Sequence, residues 1–174
     1  MDRVELLIET FRARANSSAA SKLDALMDLE RLPDPRVVPF LLGALTDERE
    51  PVEVRLHALE RVRDGSLVNN TGRREAVASA ILRVLHQQCQ PRLRLHAAAA
   101  LAEFTDVDRV VRALGTLTLD RDVSLDVRYS AFTSLERAGP TPECVAFLRR
   151  LLSDDTLGVS AGTLLSLWRV GELP

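Results

Sequence analysis

Apolar residues recur along this chain at intervals of three and four, the spacing that gathers them on one face of an α-helix. Ten such stretches alternate with short polar breaks, and they fall into pairs. The first helix of each pair is expected at residues 2–14, 34–46, 71–87, 106–119 and 141–153. The second is expected at 18–32, 51–64, 91–104, 124–138 and 157–170. Asp34-Pro35, Glu50-Pro51, Gln90-Pro91 and Thr141-Pro142 place proline near a first turn, where its missing N–H costs nothing. Gly65 and Gly139 follow expected helix ends, where a left-handed cap favours glycine. The longest break runs from Ser66 to Gly72.

The second helices share a register. An apolar residue, a basic residue, two variable residues and an alanine recur as Val54-Arg55 with Ala58, Leu93-Arg94 with Ala97, and Val127-Arg128 with Ala131. Ser21-Lys22 with Ala25 is a weaker copy, and Val159-Ser160 with Thr163 a degenerate one. The register positions are 22, 55, 94, 128 and 160, so the period is 32 to 39 residues. Four residues beyond each stands Leu26, Leu59, Ala98, Phe132 or Leu164; seven beyond stands Leu29, Val62, Leu101, Leu135 or Leu167. Two helices per period over five periods predict an all-α repeat protein.

The segment PFLLGALTDEREPVEVRLHALERV resembles a HEAT repeat of the bacterial type related to phycobilisome lyases. Pro39, Leu41, Leu42, Leu45 and Asp47 match its first helix and turn; Val54, Arg55, Ala58 and Leu59 match its second. Tetratricopeptide and ankyrin signature residues are missing. The resemblance implies a right-handed α-α superhelix of about five hairpins. These would form a single repeat domain over 1–174, with hairpins at 2–32, 34–64, 71–104, 106–138 and 141–170. It specifies little about function, because such repeats serve many tasks.

At about 100° per residue, the positions three, four and seven beyond the basic residue lie near about −60°, +40° and −20° from it. The basic side chain therefore points into the middle of the apolar face, and its head needs a partner there. Asp47 precedes Arg55 by eight residues and Asp120 precedes Arg128 by eight, while His86 takes the equivalent place before Arg94. In the HEAT repeats that this chain resembles, turn aspartates meet arginines of neighbouring units. An Asp–Arg ladder of Asp47, Arg55, Arg94, Asp120 and Arg128 is accordingly expected to join successive hairpins.

Positions two, five, six and nine beyond the basic residue point away from the apolar face. In a HEAT-like repeat the second helices line the concave side, so these are candidate partner-binding residues. They include His57 and Arg61 in the second hairpin, His96 and Ala100 in the third, and Ser130, Ser134 and Arg137 in the fourth. The small residues among them would let a partner backbone approach closely. His57 and His96 occupy equivalent places, but their surroundings match no metal-ligand spacing, and neither metal nor cofactor is expected. The last helix carries Val159, Leu164, Leu165, Leu167, Trp168 and Val170 with little charge. Either Trp168 completes the core, or residues 157–170 form a sticky end for self-association or docking.

Composition narrows the remaining classes. Leu, Ala and Val dominate an apolar content of 46%, and aromatics make up only 4%. The net charge of −2 offers no general attraction to nucleic acid or anionic membranes, and no run of 18 apolar residues occurs. The N-terminal stretch is interrupted by charge too often for a signal peptide. Two cysteines, Cys89 and Cys144, make no disulfide framework and favour a reducing cytoplasm. Asn69-Asn70-Thr71 has the form of a glycosylation sequon, without that context. Basic residues are almost all arginine, as a GC-rich bacterial genome would produce. No Ser/His/Asp order, phosphate loop or H-E-x-x-H pattern appears. The sequence thus predicts a non-enzymatic scaffold that binds a protein or peptide through its second helices. Resemblance adds two alternatives: a bilin-lyase-like subunit acting on a tetrapyrrole-bearing protein, and a nucleic-acid-binding repeat domain of the alkylation-repair glycosylase type. The scarcity of aromatics and the negative charge argue against the latter.

Overall fold

The computed structural model describes residues 2–14, 18–64, 67 and 70–170. Gly65, Ser66 and the sequon asparagine Asn69 lie outside them. Among the described residues there are ten α-helices, one 3-10 turn and no strand. By its internal contacts the chain divides into two compact units, Met1–Leu93 and Arg94–Pro174.

The first unit contains α1 (Arg3–Ala13), α2 (Ala19–Glu30), α3 (Val37–Thr46), α4 (Val52–Arg63) and α5 (Thr71–His86). Antiparallel pairing of α1 with α2 and of α3 with α4 follows from the short connections, and α2 and α5 flank the second pair. Asp2 starts α1 with a capping box, its carboxylate accepting from Glu5 N while Glu5 reaches back to Asp2 N. The stretch 34–36 is not helical. Asp34 there folds over its own turn, accepting from Arg36 N at 2.9 Å and from the Arg36 guanidinium, which lowers the Asp34 pKa to about 2. Leu26, Leu29, Leu41, Leu45, Leu59 and Ile81 are fully buried at the centre.

Helix α6 runs Pro91–Ala100 and tightens into a 3-10 turn over Leu101–Phe104. The second unit continues with α7 (Val110–Leu119), α8 (Leu125–Ala138), α9 (Pro142–Leu151) and α10 (Gly158–Leu167). Helix α7 starts four residues later than the apolar period suggests, because Arg109 takes a left-handed conformation with φ 80° at its N-cap. Close approach of α7 and α9 needs glycine at 115, where a Cβ would lie 2.3 Å from the Phe147 ring. Phe132, Leu148, Leu151, Leu157, Ala161, Leu164 and Leu165 form one cluster, and Trp168 packs against it. The tryptophan therefore completes the core. Val159 and Leu167, by contrast, stand 84% and 71% exposed on the outer side of α10.

The repeated basic side chains are buried as their helical phase requires: Lys22 is 4%, Arg55 5% and Arg128 6% exposed. Their partners differ from the expected aspartates. Arg55 Nε donates to Leu45 O at 2.8 Å, and Arg128 Nε donates to Thr118 O at 2.9 Å. Each acceptor lies ten residues back, in the last turn of the first helix of the same hairpin, where carbonyls lack helical donors. With Nε held there, the far end of the fork reaches the turn of the following hairpin. Arg128 meets Asp154 at 2.5 Å, and Arg55 meets the amide oxygen of Gln87, whose nitrogen donates to Thr46 O at 2.8 Å. Lys22 reaches forward in the same way to Glu50 at 2.5 Å, with its ammonium 4.6 Å from the Phe11 ring centroid.

Asp47 and Asp120 take no part in these bonds. Asp47 closes over its own turn onto Arg49, accepting from both its backbone N–H and its guanidinium, and Asp120 accepts from Asp122 N at 3.0 Å. Arg94 is only half-buried, and its enclosed Nε has no hydrogen-bond partner.

Asp154 is held well below the usual carboxylate range, first by the Leu157 N–H and then by Arg128 and Thr156, which outweigh its burial. Its folded-state pKa is depressed, so its contribution to stability is complete above the unfolded value near about 4 and is lost as pH falls through the folded value. Arg128→Ala is expected to destabilise the protein by about 2–4 kcal/mol, read by denaturant unfolding at neutral pH; an unchanged midpoint would remove this bond from the fold's supports. Asp154→Asn should flatten the fall in melting temperature between about pH 4 and pH 2 relative to wild type, as measured by calorimetry across that range.

Candidate functional site

The outward faces of the second helices are built differently in the two units. In the first, α2 and α4 lie side by side. Glu30 ends α2, eight residues beyond Lys22. That places it near about 80° in helical phase, on the flank of the apolar stripe facing the neighbouring hairpin. Glu30 Oε2 lies 2.8 Å from His57 Nε2. An ionised carboxylate only accepts, so Nε2 carries the proton. Arg61, one turn after His57, brings Nε to 3.2 Å of the same oxygen, off the line of a hydrogen bond, and its Nη1 lies 3.3 Å from Asp64. His57 and Glu30 are 24% and 12% exposed, so this set is held rather than free in solvent. Met27 stands on the exposed side of α2, and Asp28 and Arg31 pair beside it at 3.5 Å.

Of the sequence candidates, His57 and Arg61 are thus brought into one linked group. Glu30, which links them, was not among the candidates. Its flank phase was the available signal, since a carboxylate there must face another helix instead of water.

In the second unit the expected groove is filled by packing. Ser134 Oγ is 3.0 Å from Ala98 O and 3.1 Å from Ser130 O, and Ser134 is 2% exposed. Ser130 Oγ reaches Leu95 O at 3.4 Å. These bonds run from α8 to carbonyls of α6, so the small side chains join two helices. Ala100 is fully buried. The expectation that Ala100 and Ser134 point outward is corrected on this ground: small residues at these places permit close helix packing. His96 and Ser130 are half-buried, and Arg137 is exposed, paired with Glu103 at 2.7 Å. Among the described residues, no group of three or more His, Cys, Asp or Glu side chains is placed to hold a metal ion. No described helix is long and apolar enough to cross a membrane.

This architecture defines the class: an all-helical, HEAT-like repeat protein. Among solved structures the chain is similar to human deoxyhypusine hydroxylase in complex with glycerol, with a TM-score of 0.61 and 18% identity. The match covers 94% of this chain and 62% of that one, so the chain spans less than two thirds of that protein's length. The likeness supports a HEAT-like fold and not the phycobilisome-lyase type within it. No family model matches the chain, and no curated protein matches it significantly. The expectation of a non-enzymatic chain is overturned as a reading of this fold, because a solved protein that shares it, deoxyhypusine hydroxylase, is an enzyme.

Because Ala100 and Ser134 are enclosed, introducing charge there should unfold the second unit before it tests any binding. Ala100→Glu is expected to cost about 3 kcal/mol or more, read by thermal unfolding, whereas Arg137→Glu on the exposed side of α8 should cost under about 1 kcal/mol.

Proposed function

We propose that this chain is a protein-interaction module, and that the α2/α4 face of its first unit receives a basic segment of a partner protein. The observation that carries this reading is the linked group of Glu30, His57, Arg61 and Asp64 beside exposed Met27. It joins an apolar, adaptable anchor to polar groups already fixed in place, which reduces the ordering cost of binding. The electrostatics favour a basic partner: Asp24, Asp28, Glu53, Glu60 and Asp64 are exposed on these helices and their caps, against one exposed basic residue, Arg31. His57 and Arg61 are the contact residues in this unit. In the second unit His96 and Arg137 stand at the corresponding places, while Ser130 is taken up by its bond to α6.

The test compares wild type with Met27→Arg/Asp28→Arg, two exposed substitutions that leave the Glu30–His57 bond in place. Proteins captured by each are identified and the purified partner is titrated by calorimetry. The partner should be held by wild type, lose at least tenfold in affinity for the variant, and bind more weakly as salt is raised. Equal retention by both forms at unchanged melting temperature would refute this face as the docking surface.

A further inference from the structure

The first unit carries a half-open cleft of about 750 Å³ on the side of its first helices. That size suits a small molecule. Its apolar wall is made by Phe11 and Phe40, packed edge to face at 5.2 Å, together with Pro39 and Ala44. Five charged residues border it, and four are paired with one another: Lys22 with Glu50, and Arg49 with Asp47. The fifth, Arg12, is exposed, and its guanidinium has no partner among the described residues. The uncompensated charge at this cavity is therefore one planar cation.

Gly43 supplies a second, independent observation. It lies inside α3 and borders the cavity. Glycine weakens a helix interior relative to alanine, so its presence there calls for a reason. Packing gives one for Gly115, where a Cβ would meet the Phe147 ring, but none for Gly43, where a Cβ would meet nothing within 4 Å. Gly43 borders this cavity and also a smaller hollow against α5, and its missing side chain leaves the α3 backbone open to close approach there.

We propose that this cavity binds a small organic monoanion, a carboxylate on an aromatic or branched apolar body, with the body against Phe11, Phe40 and Gly43 and the carboxylate on Arg12. A guanidinium fork matches a carboxylate in shape as well as charge. This site is separate from the α2/α4 docking face.

The test titrates the ¹⁵N-labelled full chain with 3-phenylpropionate and, in parallel, with 3-phenylpropylamine and 3-phenylpropanol, which share the body but not the charge. The carboxylate should shift the amides of Phe11, Phe40, Gly43 and Ala44 saturably, more tightly than the alcohol, with the amine weakest. Arg12→Gln should weaken the carboxylate at least tenfold and leave the alcohol unchanged. Gly43→Leu should abolish binding of all three by filling the space. Both variants are expected to melt no lower than wild type, since neither residue supports a packing contact. Absence of saturable shifts at these amides with the carboxylate, or equal affinity for the amine, would overturn the proposal.

Discussion

A charged head in the middle of an apolar helix face is the constraint around which this structure is organised. Such a head costs several kcal/mol unless it is fully hydrogen-bonded. Each buried arginine meets that demand with two kinds of acceptor. Its Nε takes a carbonyl left over at the end of the first helix of its own hairpin, and its outer nitrogen takes a side chain in the turn of the next. One side chain thus closes a helix terminus and fastens two hairpins. The apolar stripes supply most of the burial energy, but they would tolerate some sliding. The directional bonds at Leu45 O and Thr118 O permit much less.

Much of this was legible in the sequence. Helix positions followed from apolar period and proline placement, and burial of Lys22, Arg55 and Arg128 followed from helical phase, whereas the degenerate last copy is out of register, its Val159 and Leu167 standing exposed. Partners did not follow, because phase describes one helix at a time. Asp47 and Asp120 looked available eight residues before their arginines, yet each has its own turn to satisfy first. The acceptors that are used stand 26 to 32 residues ahead, at a distance set by the stacking of hairpins. The start of α7 was missed for a related reason: Arg109 occupies a left-handed conformation that residue preference disfavours and only tertiary context sustains.

The second-helix faces show the same limit of reasoning from one helix. Small residues facing away from their own core stripe read as an open groove, but Ser130 and Ser134 face the backbone of α6 and bond to it. In the first unit the equivalent places carry larger polar residues. There His57 and Arg61 meet Glu30 at the edge of the packing and leave a surface beside it. Side-chain size at equivalent positions therefore separates a face spent on helix packing from one left open to solvent.

The rungs are also chemically unlike one another. Within the first unit an ammonium meets a carboxylate at Lys22–Glu50, and a guanidinium meets a neutral amide at Arg55–Gln87. Exchanging these partners would set the compact lysine head against an amide and leave a glutamate for a fork already committed to a carbonyl. Repeats built from interchangeable bonds can slip by a period or swap between copies of a chain. Here Lys22 and Arg55 within the first unit, and Arg128 within the second, each carry a clasp keyed to its own neighbour, so the order of those hairpins within each unit is written into the side chains that hold them.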